Sequence, residues 1–144
     1  METLIKMILN KLKRPPDRII GDNYLQRWYL TPRNRYFKIY LHKFVGSDDD
    51  RALHDHPWWT LSFLLSGTLK EHSFAGTRII PRFLPVIRSA KFAHRLEVVK
   101  GPVYTLFFVG PIIRSAGFYC PDGWRHWKNF LDESGNRIDK GCDE

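Results

Sequence analysis

Two hydrophobic periods divide the chain. Leu4, Ile5, Ile8, Leu9 and Leu12 recur every three to four residues, which predicts an amphipathic helix over 2–13, stopped by Pro15 and Pro16. Its polar face carries Lys6, Lys11 and Lys13. A basic face of this kind suits anionic lipid, but so short a helix is expected to pack against the rest of the chain or a partner subunit. From residue 36 the period is two. "YFKIYLHKF" at 36–44 alternates Phe37, Ile39 and Leu41 with Lys38, Tyr40 and His42, the pattern of a half-buried strand. "TLSFLLSGTLKEHSF" at 60–74 reads as two strands joined by a tight turn at Ser66-Gly67. Short runs follow in "TRIIPRFLPVI", "FAHRLEVV" and "VYTLFFVG", and this spacing predicts an all-β sandwich or barrel. A Pro121-Asp122-Gly123 turn opens the last segment, whose final ten or so residues are expected to be poorly ordered. The expected organisation is a helical segment over 1–16, one barrel over 17–131 and a polar tail over 132–144.

Composition narrows the function classes without choosing one. At 144 residues, with 43% apolar and 15% aromatic content, the chain is long enough for one core and too short for two. A net charge of +8 suits an anionic partner: a phosphorylated or carboxylated small molecule, nucleic acid or a membrane surface. The basic residues are scattered, with "KLKR" at 11–14 the longest run, which makes nucleic acid the weaker choice. Lys6 interrupts the apolar N-terminal stretch and no small-residue cleavage site follows, so neither a signal peptide nor a membrane span is expected. Cys120 and Cys142 are too few for a disulfide framework and form no CxxC pair. A reducing compartment, and hence a cytoplasmic location, is the expectation.

The candidate chemistry centres on "LHDHPWW" at 53–59. Side chains alternate along a strand, so His54 and His56 project to one face and can offer two imidazole nitrogens to one metal, while Asp55 points away. In "KFAHRLEVV", His94 shares a face with Phe92, Leu96 and Val98. The turn at Ser66-Gly67 would pair Ser62 with Glu71, so that Thr60, Ser62 and Glu71 face the same interior as the histidines. Glu71 would then be a ligand, an acceptor for an imidazole N–H, a general base, or a rim carboxylate paired with an arginine. His42 is either a proton shuttle in the pocket or a structural histidine. His72 reads as a surface residue, and His126 sits in an aromatic cluster with Trp124 and Trp127 that suits a lid. Arginines near a metal pocket suit a carboxylate or phosphate. Arg51 and Arg114, each flanking a strand, are the first candidates for such a contact, with Trp59 at the pocket mouth.

On these residues the chain resembles the cupins, small double-stranded β-helix (jelly-roll) barrels whose first motif is G(x)5HxH(x)3-4E(x)6G and whose second is PxGxxH. Gly46, His54, His56 and Gly67 approximate the first motif, with seven residues instead of five after Gly46, and His94 stands at the histidine of the second. "DRALHDHPWW", "HRLEV" and "FVGP…GFYCPDGW" are similar to a group of small, largely uncharacterised cupin-like proteins of bacteria and phages. Two departures stand out: Thr60, or Leu61 in the other register, occupies the place of the motif's glutamate, and Ser89-Ala90-Lys91 that of PxG. The resemblance implies a barrel with a metal on His54, His56 and His94. Ferrous iron is favoured and zinc or nickel possible. It implies a dioxygenase-like activity on a small anionic substrate, with Glu71 and Thr60 near the chemistry, in a homodimer. A non-catalytic ligand-binding cupin and a metal-free sugar-nucleotide isomerase or epimerase are the alternatives it leaves.

Overall fold

The computed structural model describes residues 2–20, 24–32, 34–47 and 52–130. Helix α1 spans Glu2–Leu12, and an exposed Glu2–Lys6 ion pair braces its first turn at 2.9 Å. None of its residues is fully buried: Ile8 and Leu12 are half-buried, while Leu4, Ile5 and Leu9 stay exposed. Two strands follow that the alternation pattern did not reveal, β1 (Arg18–Ile20) and β2 (Leu25–Tyr29). Next come β3 (Lys38–Phe44), β4 (Leu53–His54), β5 (Thr60–Ser73), β6 (Gly76–Ile79), β7 (Pro85–Arg88) and β8 (His94–Val109). β9 (Gly117–Cys120), β10 (Gly123–His126) and a short 3-10 turn at Trp127–Phe130 complete the described chain. The acidic tail expected to be poorly ordered lies outside the described residues.

The expected turn at Ser66-Gly67 does not exist. β5 runs unbroken through it and pairs along its whole length with β8, likewise a single strand where two were expected. Both strands bend at the same place, and the register shifts three times between Leu64 and Leu69. Gly67 permits this in two ways. Its φ is +81°, which L side chains rarely adopt. A Cβ there would also lie 2.6 Å from Val103 Cγ2 and 2.7 Å from the carbonyls of Lys100 and Pro102. A Ser-Gly pair suits a hairpin and a bend equally well; here the neighbouring strand decides.

The bend makes two antiparallel sheets from one ribbon. On one side β7, the first half of β5, the second half of β8, β3, β2 and β1 lie in that order. On the other, β6, the second half of β5, the first half of β8, β4, β9 and β10 do. Alternation within each strand then builds the interior in two rungs. Leu25, Phe44, Leu64, Leu69, Val86 and Val103 form the apolar rung, the core, with Leu96 packed against it. Two positions along the same strands stand Arg27, His42, Ser62, Glu71, Arg88, Thr105 and His94, the polar rung. β3 is covered on both faces, with Tyr40, Leu41, His42 and Phe44 all buried, so it is not the half-buried strand expected.

Two further findings bear on the setting. No described helix is long and apolar enough to cross a membrane. Cys120 is disulfide-bonded, which removes the basis for inferring a reducing compartment from the cysteines.

Candidate metal centre

His54 in β4 lies directly opposite His94 in β8. His56 follows two residues on, its backbone N–H bonded to the carbonyl of Ala90 at 3.1 Å. The three rings form a near-equilateral triangle, with centroids 5.1, 5.2 and 5.0 Å apart. One nitrogen from each lies within 4.8 Å of the other two. Asp55 faces the other way, as alternation requires, but it is buried rather than solvated. It accepts hydrogen bonds from the Gly117 N–H (2.8 Å) and Trp124 Nε1 (3.0 Å), and an ion pair from Arg114 (2.9 Å). Arg114 also donates to the His56 carbonyl at 3.3 Å. The aspartate between the histidines thus ties their backbone to β9, β10 and the preceding loop.

Behind His94 sits Glu71, the diagonal cross-strand neighbour on the same face. Its Oε1 bonds His94 Nδ1 at 2.7 Å and also accepts from Arg88 Nε; its Oε2 pairs with Arg78 at 2.7 Å. Arg88 reaches on through Nη1 to Ser62 Oγ at 3.0 Å, joining the two sheets. Burial pushes the Glu71 carboxyl up, but the His94 hydrogen bond and the Arg88 charge outweigh it and hold it at about 2. Burial lowers the His94 pKa to about 4 against the upward pull of Glu71. His56 lies well below its ordinary value, from burial first and then the charges of His94 and His54.

These residues fit a metal ion. Neutral imidazoles at this spacing are within reach of one ion held roughly 2.1 Å from each, after small side-chain rotations. The carboxylate on His94 Nδ1 fixes its tautomer and leaves Nε2 as the ligand atom, a common arrangement behind metal-bound histidine. His56 Nδ1 is buried with no hydrogen-bond partner among the described residues, a rare state that an ion or water relieves.

The triad opens on a cavity of about 180 Å3 walled by both sheets. Of the other residues singled out from sequence, His42 and Ser62 line it, while Glu71 and Thr60 are buried in its wall without lining it. Thr60 stands opposite Arg88, its hydroxyl without a partner among the described residues. Arg114 is placed on Asp55, not on the cavity wall. Trp59 lies on Gly110, where an added Cβ would be 2.0 Å from its Nε1, and its neighbour Trp58 lines the cavity instead. Arg51 lies outside the described residues. His72 is half-buried and pairs with Glu97 at 2.8 Å. Two cavity arginines are Arg88 and Arg27. Arg27 was missed because β2 itself was: "LQRWY" mixes apolar residues onto both faces, since Trp28 is buried on the far side.

No protein-family model matches the chain, and no curated protein does. Solved structures do. An uncharacterised double-stranded β-helix protein from Klebsiella pneumoniae superposes with a TM-score of 0.54 at 12% identity, over 70% of this chain and 84% of that one. A cupin superfamily protein from Desulfitobacterium hafniense gives 0.51 at 12%, over 67% and 84%. The fold is that of the cupins. The DMSP lyase DddQ from Ruegeria pomeroyi superposes with a TM-score of 0.53 at 13% identity over 67% of this chain and 54% of that one. In this barrel the HxH pair and His94 converge on one point.

Proposed function

We propose that the protein is a mononuclear metalloenzyme acting on a small anionic substrate, and that it is a ferrous oxygenase. The observation that carries the reading is the triad: three buried or half-buried imidazoles converge on one cavity, one of them backed by a carboxylate. Ferrous iron bound there would supply a Lewis acid and a redox centre with coordination positions left open. The chain's own residues supply the rest. Burial keeps His56 and His94 neutral and able to ligate. Glu71 sets the orientation of His94, and Arg88 sets that of Glu71. His42, neutral through burial and the Arg27 charge, accepts from Arg27 at Nε2 and so holds its proton on Nδ1. The apolar rung excludes water from the floor of the cavity.

A non-catalytic binding role has one specific observation in its favour: Leu64 and Leu69 line the cavity floor and partly fill the barrel. Metal analysis of protein purified without chelator, together with dioxygen uptake in the presence of small carboxylic acids, separates the two. The enzyme reading expects about one equivalent of iron, lost in His54→Ala and His94→Ala, and uptake that requires it. Uptake that persists after chelation, or a wild-type protein that takes up neither iron nor zinc, would sink it.

A further inference from the structure

The arginines around the polar rung are not alike. Arg78 and Arg88 both bond Glu71, and Arg114 bonds Asp55. Arg27 has no carboxylate partner among the described residues. Its Nε donates to His42 Nε2 at 2.9 Å, and its guanidinium carbon lies 4.2 Å from the centre of the Tyr40 ring. It lines the same cavity as the triad. A half-buried cation held in place by a neutral imidazole and an aromatic face, with its terminal nitrogens uncommitted to any carboxylate, calls for an anion.

We propose that Arg27 is the anchor for the carboxylate of a short-chain carboxylic acid whose apolar chain rests on the rung formed by Leu25, Phe44, Leu64, Leu69 and Leu96. This deepens the reading of the cavity as a substrate site and rests on it. Among the described residues that line the cavity, Arg27 is the one arginine without a carboxylate partner, since Arg88 is held by Glu71, and one guanidinium matches one carboxylate. With Nε engaged by His42, the two Nη groups remain to grip both oxygens of a planar carboxylate. The cavity, about 180 Å3, falls below the roughly 300–1,000 Å3 of sites for drug-sized ligands, which limits the chain to a few carbons. The lining two positions along β2, β3, β5 and β8 from the polar residues is aliphatic or aromatic, and suits a hydrocarbon chain.

Butyrate and butyramide test this, being alike in shape and different in charge. Calorimetric titration into chelator-treated protein should show butyrate binding about 10- to 100-fold more tightly than butyramide. Arg27→Gln should abolish that preference and Arg27→Lys should restore part of it, with folding checked by thermal unfolding. The wild-type comparison stands even if Arg27→Gln fails to fold. Equal affinity for the two ligands, binding of neither, or a preference that survives Arg27→Gln overturns the proposal. Zinc stoichiometry is measured on the same samples. A protein that prefers butyrate but takes up no metal loses the metalloenzyme reading and keeps this one; a protein that binds metal with no carboxylate preference does the reverse.

Discussion

Replacing Glu71 by Gln tests how the triad is supported. The side chain keeps its shape and loses its charge. Glu71 is 1% exposed and Arg88 5%, so the guanidinium is left in a dry site beside an amide. Breaking a buried pair by neutralising one partner costs about 3–5 kcal/mol, because the other charge stays buried and uncompensated. That is a large part of the roughly 5–15 kcal/mol by which a domain of this size is stable. His94 also loses the charged acceptor for Nδ1, and loss of such a partner lowers metal affinity about 10- to 100-fold. Arg88→Met removes the other side of the pair, and the double variant leaves neither charge. Half-exposed Arg78 can turn to solvent. Urea unfolding of the metal-free protein should therefore show the double variant to be more stable than the sum of the single losses predicts, by about 2 kcal/mol or more. Zinc competition against a chromophoric chelator should show the weakened site. The reasoning is refuted if Glu71→Gln costs less than about 1 kcal/mol with zinc affinity unchanged, or if the two single losses simply add.

Three further perturbations address the scaffold. Asp55→Asn removes the charge that two N–H groups and Arg114 share, and should lower stability by about 2–4 kcal/mol in thermal unfolding while also weakening zinc binding; an unchanged midpoint would contradict its role as a tie. Gly67→Ala forces a Cβ into Val103 and two carbonyls at positive φ, so urea unfolding should reveal a loss of about 2–4 kcal/mol, and a neutral effect would place the bend elsewhere. Leu64→Ala opens the cavity floor at a cost of about 2–5 kcal/mol, and calorimetry should show hexanoate gaining affinity relative to butyrate; the same ratio in both proteins would show that Leu64 does not bound the ligand.

The legible parts of the sequence were those governed by alternation within a strand. The period of two placed His54 and His56 on one face and Asp55 on the other, and put His94 on an inward-facing strand. It could not show that Asp55 is buried, because its partners come from Gly117, Arg114 and Trp124, some sixty residues later in the chain. Ser62 and Glu71 do share a face, but the supposed hairpin is not the reason. The two halves of β5 lie in different sheets and Arg88 joins them. The bend itself was illegible because it arises from two strands at once: Gly67 can approach the backbone closely only where Lys100–Val103 bends alongside it. Arg27 and His42 reach the cavity because β2 and β3 pair at those two residues, a register fixed by tertiary structure.

The two-rung interior separates what a ligand is held by from what is done to it. Residues that set the floor alternate with those that carry charge and nitrogen, and each stands two positions from its counterpart on the same strand. A library randomised at Leu25, Phe44, Leu64, Leu69 and Leu96 would therefore sample new cavity shapes while leaving the histidines, Glu71 and Arg27 in register. The same spacing makes the barrel intolerant of single-residue insertions in β2, β3 or β8. One added residue would turn the charged rung outward and carry every other property of the site with it.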